Sequence, residues 1–193
     1  MNKLIRGAQP LCLAAGCQEW TDRYLTAHFS DPAASFSWYS RNCYQHIRMA
    51  LLEMTQDHCA FCDGFLGTEA RETVEHFRPK SRYPQQAFQW INLFPCCDKC
   101  QSAKQEKYDE LLLKPDDADY QFARYFICNY ASGELHPAPD ISVFDRQRAE
   151  KTIELYGLNL TLRKQARARE LIKFRGSREE LQLDDFPYRY FLS

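Results

Sequence analysis

The chain has 193 residues, of which 45% are hydrophobic, 14% aromatic and 26% charged; this is an ordinary globular mixture, long enough for one core or two small ones. No apolar run approaches the roughly eighteen residues that a membrane-spanning helix needs, and the mean hydropathy is negative. With 25 basic against 26 acidic side chains, the whole chain gives no electrostatic case for a polyanionic partner, so any nucleic-acid contact has to rest on local patches.

In chain order, Met1 to Arg6 is basic and Leu11-Cys12-Leu13-Ala14-Ala15-Gly16-Cys17 faintly resembles the apolar part of an export or lipoprotein signal. The stretch is short and Gln9-Pro10 interrupts its approach, so no processed leader and a cytoplasmic location are expected. Trp20, Tyr24 and Ala27-His28 recur at helical spacing, and after a break from Pro32 to Ser37 so do Cys43, Ile47, Leu51 and Met54. Two amphipathic helices follow. A second block, from about Cys59 to Lys107, carries turn signals at Gly64, Gly67, Pro79, Pro84 and Pro95. The third begins near Leu111, with a strand-like run from Phe122 to Ile127, a turn at Ser132-Gly133, and helices expected over 142–156 and 160–174. The last helix carries Arg163, Lys164, Arg167, Arg169, Lys173 and Arg175. That face is either simply solvated or a surface for phosphates or an acidic partner, and spacing puts Arg163 and Arg167 on one side. The class expected is α+β: a helical segment 1–58, a zinc-stapled core 59–110, and a C-terminal helical scaffold with a short strand pair over 111–193, forming one compact unit.

Nine cysteines, an odd number, argue against a fully paired disulfide framework and fit a reducing cytosol in which thiols bind metal or sit buried. Cys59-Ala60-Phe61-Cys62 and Cys97-Asp98-Lys99-Cys100 are Cys-x-x-Cys pairs 34 residues apart. Four thiolates suit a closed, tetrahedral structural zinc, against a competing reading of buried or redox-active cysteines. Cys96 could exchange with Cys97, but only Cys97 leaves two residues before Cys100. His58 is read as a helix-end residue, since four cysteines already complete the site.

A closed zinc site does no chemistry, which directs attention to the segment it staples. There, Glu75 and the Gln101 side-chain carbonyl offer oxygen ligands to a hard catalytic cation such as Mg²⁺ or Mn²⁺. His76 is a candidate general base, because an imidazole titrates near neutrality. Arg78, Lys80 and Lys104 are candidate phosphate contacts; seven basic against four acidic residues between Arg71 and Lys107 leave a local charge of +3. Phe77, Phe88 and Trp90 are expected in the core, and Trp90-Ile91-Asn92-Leu93 on a strand. One difficulty is geometric. Adjacent strand residues point to opposite faces, so Glu75 and His76 share a site only if the strand end twists or the metal sits at its edge.

The order Cys-x-x-Cys, Glu75-His76, Pro79-Lys80, Asn92-Leu93, Cys97-x-x-Cys100, Gln101 and Lys104 resembles the HNH nuclease family, with its ββα-metal fold and attached zinc knuckles. The resemblance implies that His76 is the general base and Glu75 the preceding acidic metal ligand. It further implies that Asn92 is the middle Asn that pins the connecting loop, and Gln101 the second metal ligand. Glu stands where Asp is commoner and Gln where Asn or His is usual, so both ligands reach farther. Trp20, Trp38, the run from His58 to Cys62, Gly133-Glu134-Leu135, the run from Ala149 to Ile153, and Leu158-Asn159 resemble the PtuB group within that family. This implies a nuclease acting on DNA or RNA beside a PtuA-like ABC- or SMC-type ATPase in Septu and retron-linked bacterial anti-phage systems. A different class is also open: a zinc-stabilised adaptor without catalysis that docks to the ATPase or to nucleic acid.

Overall fold

The computed structural model describes residues 1–31, 35–67, 70–177 and 180–192. Helix α1, Leu11–Ser30, takes in the whole apolar run from Leu11 and buries Leu13, Thr21 and Tyr24. Helix α2, Arg41–Thr55, starts at Ser40, whose hydroxyl accepts the Cys43 N–H at 3.2 Å, the usual way to satisfy a free first-turn donor. Cys43, Ile47, Leu51 and Thr55 form its buried stripe. A disulfide joins Cys12 to Cys43, and the other seven cysteines are free, so the chain carries one bridge besides its buried thiols. Positions 32–34 of the expected break lie outside the described residues.

Strand β1, Glu72–His76, pairs antiparallel with β2, Leu93–Cys97, and helix α3, Asp98–Lys104, follows at once. Trp90–Asn92 is a 3₁₀ turn rather than the expected strand. Asn92 decides this: its N–H closes on Gln89 O at 2.9 Å, and its amide bridges Arg78 and Gln86, a local alternative to a strand ladder. The run from Phe122 likewise divides into a helical turn α4, Phe122–Tyr125, and a strand β3, Phe126–Asn129, paired with β4, Glu134–Pro137. Phe122 stacks on Tyr190 and Tyr125 on Tyr120; residues three apart reach neighbouring interior positions only on a helical turn. Gly133, in the connecting turn, has φ +74° and a Cβ there would lie 2.0 Å from Lys164 O, so no other residue fits.

Helices α5, Val143–Leu155, and α6, Thr161–Gly176, then a short α7, Arg189–Leu192, complete the chain. Arg163 and Arg167 of α6 are buried, which overturns the phosphate-facing reading of that pair. Arg163 donates to Tyr156 O and Gly157 O at 2.8 and 2.9 Å, and Arg167 to Gly133 O at 2.6 Å and Asn159 Oδ1 at 3.0 Å. The two guanidinium groups serve the carbonyls at the end of α5 and in the β3–β4 turn, where planar multi-donor groups outperform lysine. Among the described residues no helix is long and apolar enough to cross a membrane.

The β1–β2 ladder divides two apolar clusters. Phe94 and Cys96 belong to the larger one, with Phe61, Tyr156, Tyr190 and Phe191; Leu93 belongs to the other, with Leu13, Tyr24, Ile47, Leu51 and Phe88. Because Glu75 is paired with Phe94 and His76 with Leu93, the pleat sends those two side chains to different clusters.

Candidate metal centre and its surroundings

After α2, Gln56 and Asp57 take positive φ values and turn the chain into the first Cys-x-x-Cys pair. Cys59 N–H bonds Gly64 O at 2.8 Å and Ala60 N–H bonds Pro95 O at 2.9 Å, so the first pair is held against β2. Cys97 ends β2 and caps α3 through its sulfur, which accepts the Cys100 N–H at 3.4 Å. The ligand atoms of Cys59, Cys62, Cys97 and Cys100 lie within 4.8 Å of one another and all four residues are buried. The Cys62–Cys97 sulfur separation of 3.7 Å is close to the edge of about 3.8 Å expected for a tetrahedron with Zn–S bonds of about 2.3 Å. Four thiolates at that spacing could hold a metal such as zinc. Cys96 is outside this group and its sulfur turns to Cys97 O. His58 is buried with its ring nitrogens on the carbonyls of Gln56 and Phe186, a structural role after the end of α2.

The stapled residues occupy two faces. On the α3 side, Glu75 Oε1 lies 2.6 Å from Lys104 Nζ, which also donates to His76 O at 3.0 Å. Lys104 is wholly buried and Glu75 is 4% exposed. Burial raises the Glu75 carboxyl above its usual range, while Lys104 and a hydrogen bond from Gln101 oppose the rise. A hydrated divalent cation keeps several waters. Glu75 and Gln101 have the right oxygen chemistry for one, but this arrangement does not fit it: an ammonium is already on the carboxylate and solvent is excluded. For the same reason Lys104 is not the phosphate contact expected from its position; its charge is spent inside.

On the other face, His76 Nε2 lies 2.9 Å from Ala87 O and the ring sits against Trp38 and Phe36. Nε2 therefore carries the proton, and Nδ1 keeps the lone pair. Burial first, then Lys80, lowers the imidazole to about 3. Asn92 pins the loop after β1, its Oδ1 accepting Arg78 N–H at 2.8 Å and its NH₂ donating to Arg78 O and Gln86 O at 3.0 Å. Arg78 reaches Tyr108 OH and Glu110, and borders a polar cleft of about 350 Å³ shared with Lys114 and Arg148. Lys80 is partly exposed, 3.7 Å from Glu106 and above the Phe36 ring.

The His76 shift makes a stability prediction. Unfolded, the imidazole takes a proton near pH 6.5; folded, only near 3. Between those values the unfolded chain binds the extra proton, so His76 adds stability above pH 6.5 that is lost as the pH falls toward 3, by up to about 1.4 kcal/mol per unit. Urea midpoints measured across this window should fall more steeply for the parent than for His76→Gln; parallel curves would refute the assignment.

Sequence reasoning missed several organising residues. Phe36 and Trp38 form the cover of His76. Arg6 donates to Trp90 O and Leu93 O at 2.7 and 3.0 Å and pairs with Asp116, so the basic start of the chain clasps β2. Arg189 grips Asp63 beside the first Cys-x-x-Cys pair. The signal for Arg189 was a single charge among the aromatic and apolar residues from Phe186 to Leu192.

Sequence comparison bears on the whole arrangement. No protein-family model matches the chain. A Septu protein PtuB from Bacillus thuringiensis is 42% identical over 60 residues, 31% of this chain and 23% of that protein. Another, from Bacillus mycoides strain KBAB4, is 24% identical over an alignment of 196 positions, 80% of this chain and 65% of that protein. The chain is homologous to Septu protein PtuB. It spans less than two thirds of the length of either PtuB relative.

Proposed function

We propose that the chain is the nuclease component of a Septu-type anti-phage defence pair, hydrolysing phosphodiester bonds of DNA or RNA beside a PtuA-like ABC- or SMC-type ATPase in the cytoplasm. The homology to PtuB supports the defence role, and the HNH-like order of residues supports the chemistry. The observation that carries the catalytic part is the state of His76: tied through Nε2 to Ala87 O, it offers one proton acceptor, Nδ1, to an attacking water. In the folded chain the imidazole is buried against Phe36 and Trp38 and is a poor base. Withdrawing the aromatic cover exposes the ring and, by restoring its solvation, brings its basicity back toward neutrality. An ATPase that moves α1 and α2 would thus switch access and basicity together. Lys80 and Arg78, on the loop after β1, are the basic groups within reach of an incoming phosphate.

The buried Glu75–Lys104 pair favours a second reading, a zinc-stabilised adaptor that docks to the ATPase or to nucleic acid without cutting. Cleavage of plasmid DNA, phage DNA and total RNA, with and without the ATPase, separates the two. Under the nuclease reading His76→Ala reduces the cleavage rate by about 10²–10⁴-fold and abolishes protection in cells. Protection undiminished by that change, with no cutting by the parent, would establish the adaptor.

A further inference from the structure

Lys104 is the one described lysine with no solvent exposure at all, and the site's expected chemistry does not use it. Its stem runs from the last turn of α3 into the space between that helix and β1. There the ammonium meets two oxygens, Glu75 Oε1 at 2.6 Å and the His76 carbonyl at 3.0 Å. A buried ammonium is retained only where a carboxylate and further acceptors replace its water, and both conditions are met. The HNH-like sequence pattern would place a divalent ion beside the Glu75 carboxylate. Such an ion needs about six oxygen ligands at about 2.0–2.1 Å, several of them waters, in a space that a four-carbon side chain occupies.

We propose that the Lys104 ammonium is the resident cation of this site: it takes the place of a divalent ion between Glu75 and the end of β1, and Glu75 is its counter-ion rather than a metal ligand. Lys104 is thus a positioning residue. It holds the Glu75 carboxylate and the His76 backbone, and it keeps a fixed positive charge behind the imidazole. The inference rests on the nuclease reading for its catalytic meaning: any cleavage by this chain proceeds without an ion held by Glu75.

The test is Mn²⁺ titration of the full, zinc-loaded chain, followed by electron paramagnetic resonance. The parent and Glu75→Gln should bind Mn²⁺ equally weakly. Lys104→Ala, which removes both the charge and the stem that fills the ion's space, should gain about 100-fold or more in Mn²⁺ affinity, because it leaves a buried carboxylate without a partner. Adding Glu75→Gln to that variant should remove the gain. One Mn²⁺ bound by the parent and lost in Glu75→Gln would overturn the proposal, and that comparison stands even if Lys104→Ala fails to fold. Cleavage is assayed separately in zinc-buffered solution with and without Mg²⁺. An absence of cutting in every condition sinks the nuclease reading, while the Mn²⁺ titration still decides the role of Lys104.

Discussion

Replacing Cys97 by serine is expected to abolish metal binding by the four-thiol group and unfold the centre of the molecule. Cys97 is at once a member of the four-thiol group, the last residue of β2 and the cap of α3. A structural zinc held by four thiolates contributes about 10–16 kcal/mol of apparent binding free energy near pH 7, as much as or more than the whole stability of a typical domain, about 5–15 kcal/mol. Without the ion, four buried sulfurs within 4.8 Å of one another would have to be neutral thiols or repelling thiolates. Native mass spectrometry of the parent should therefore show one Zn²⁺, absent in Cys97→Ser and removed by a strong chelator, together with loss of a cooperative thermal transition. Cys128→Ser, on β3 and outside the cluster, should keep the ion. A Cys97→Ser protein that melts like the parent would show that the cluster is merely a set of packed thiols.

The second large effect is expected at Arg189. Its guanidinium meets Asp63 through NH2 to Oδ1 at 2.7 Å and Nε to Oδ2 at 3.1 Å, while its own N–H adds a third bond to Oδ2 at 2.7 Å. It also reaches Asp184 and Thr55 O. One side chain thus ties α7, the end of α2 and the turn after Cys62 together, with only 7% of its side chain and 3% of that of Asp63 exposed. Truncation strands a buried carboxylate, so Arg189→Ala should cost about 3–5 kcal/mol in urea unfolding. Arg189→Lys should recover only part of this, since an ammonium cannot make the paired contact. Lys151→Ala, which removes an exposed pair with Glu154, should stay within about 1 kcal/mol of the parent. An Arg189→Ala loss that small would mean that Asp63 finds water instead.

Both effects depend on the same region, and they differ in how far the sequence announces them. Two Cys-x-x-Cys pairs state their chemistry directly, whereas Arg189 shows only as one charge among aromatic and apolar residues and its partner Asp63 is not indicated at all. The same contrast holds in α6. Arg163 and Arg167 read as one basic stripe, and their four-residue spacing does put them on one side; that side faces the protein, where the two guanidinium groups donate to the carbonyls of Tyr156, Gly157 and Gly133.

By itself the sequence determined the local features: the thiol pairs, whose spacing confines each to a single turn, the Cys43-Ile47-Leu51 stripe of α2, and the HNH-like order from Glu75 to Lys104. Covalent spacing limits how far such groups can separate, so pattern and chemistry coincide over short distances. Tertiary structure alone decided which way each side chain faces. The pleat carries Glu75 to the α3 side and His76 to the aromatic side, and packing of α3 on β1 draws the Lys104 charge inside. It also brings Phe36 and Trp38, some forty residues before His76, over the imidazole. Those outcomes depend on what lies across each face, and a one-dimensional pattern does not contain the opposing surface.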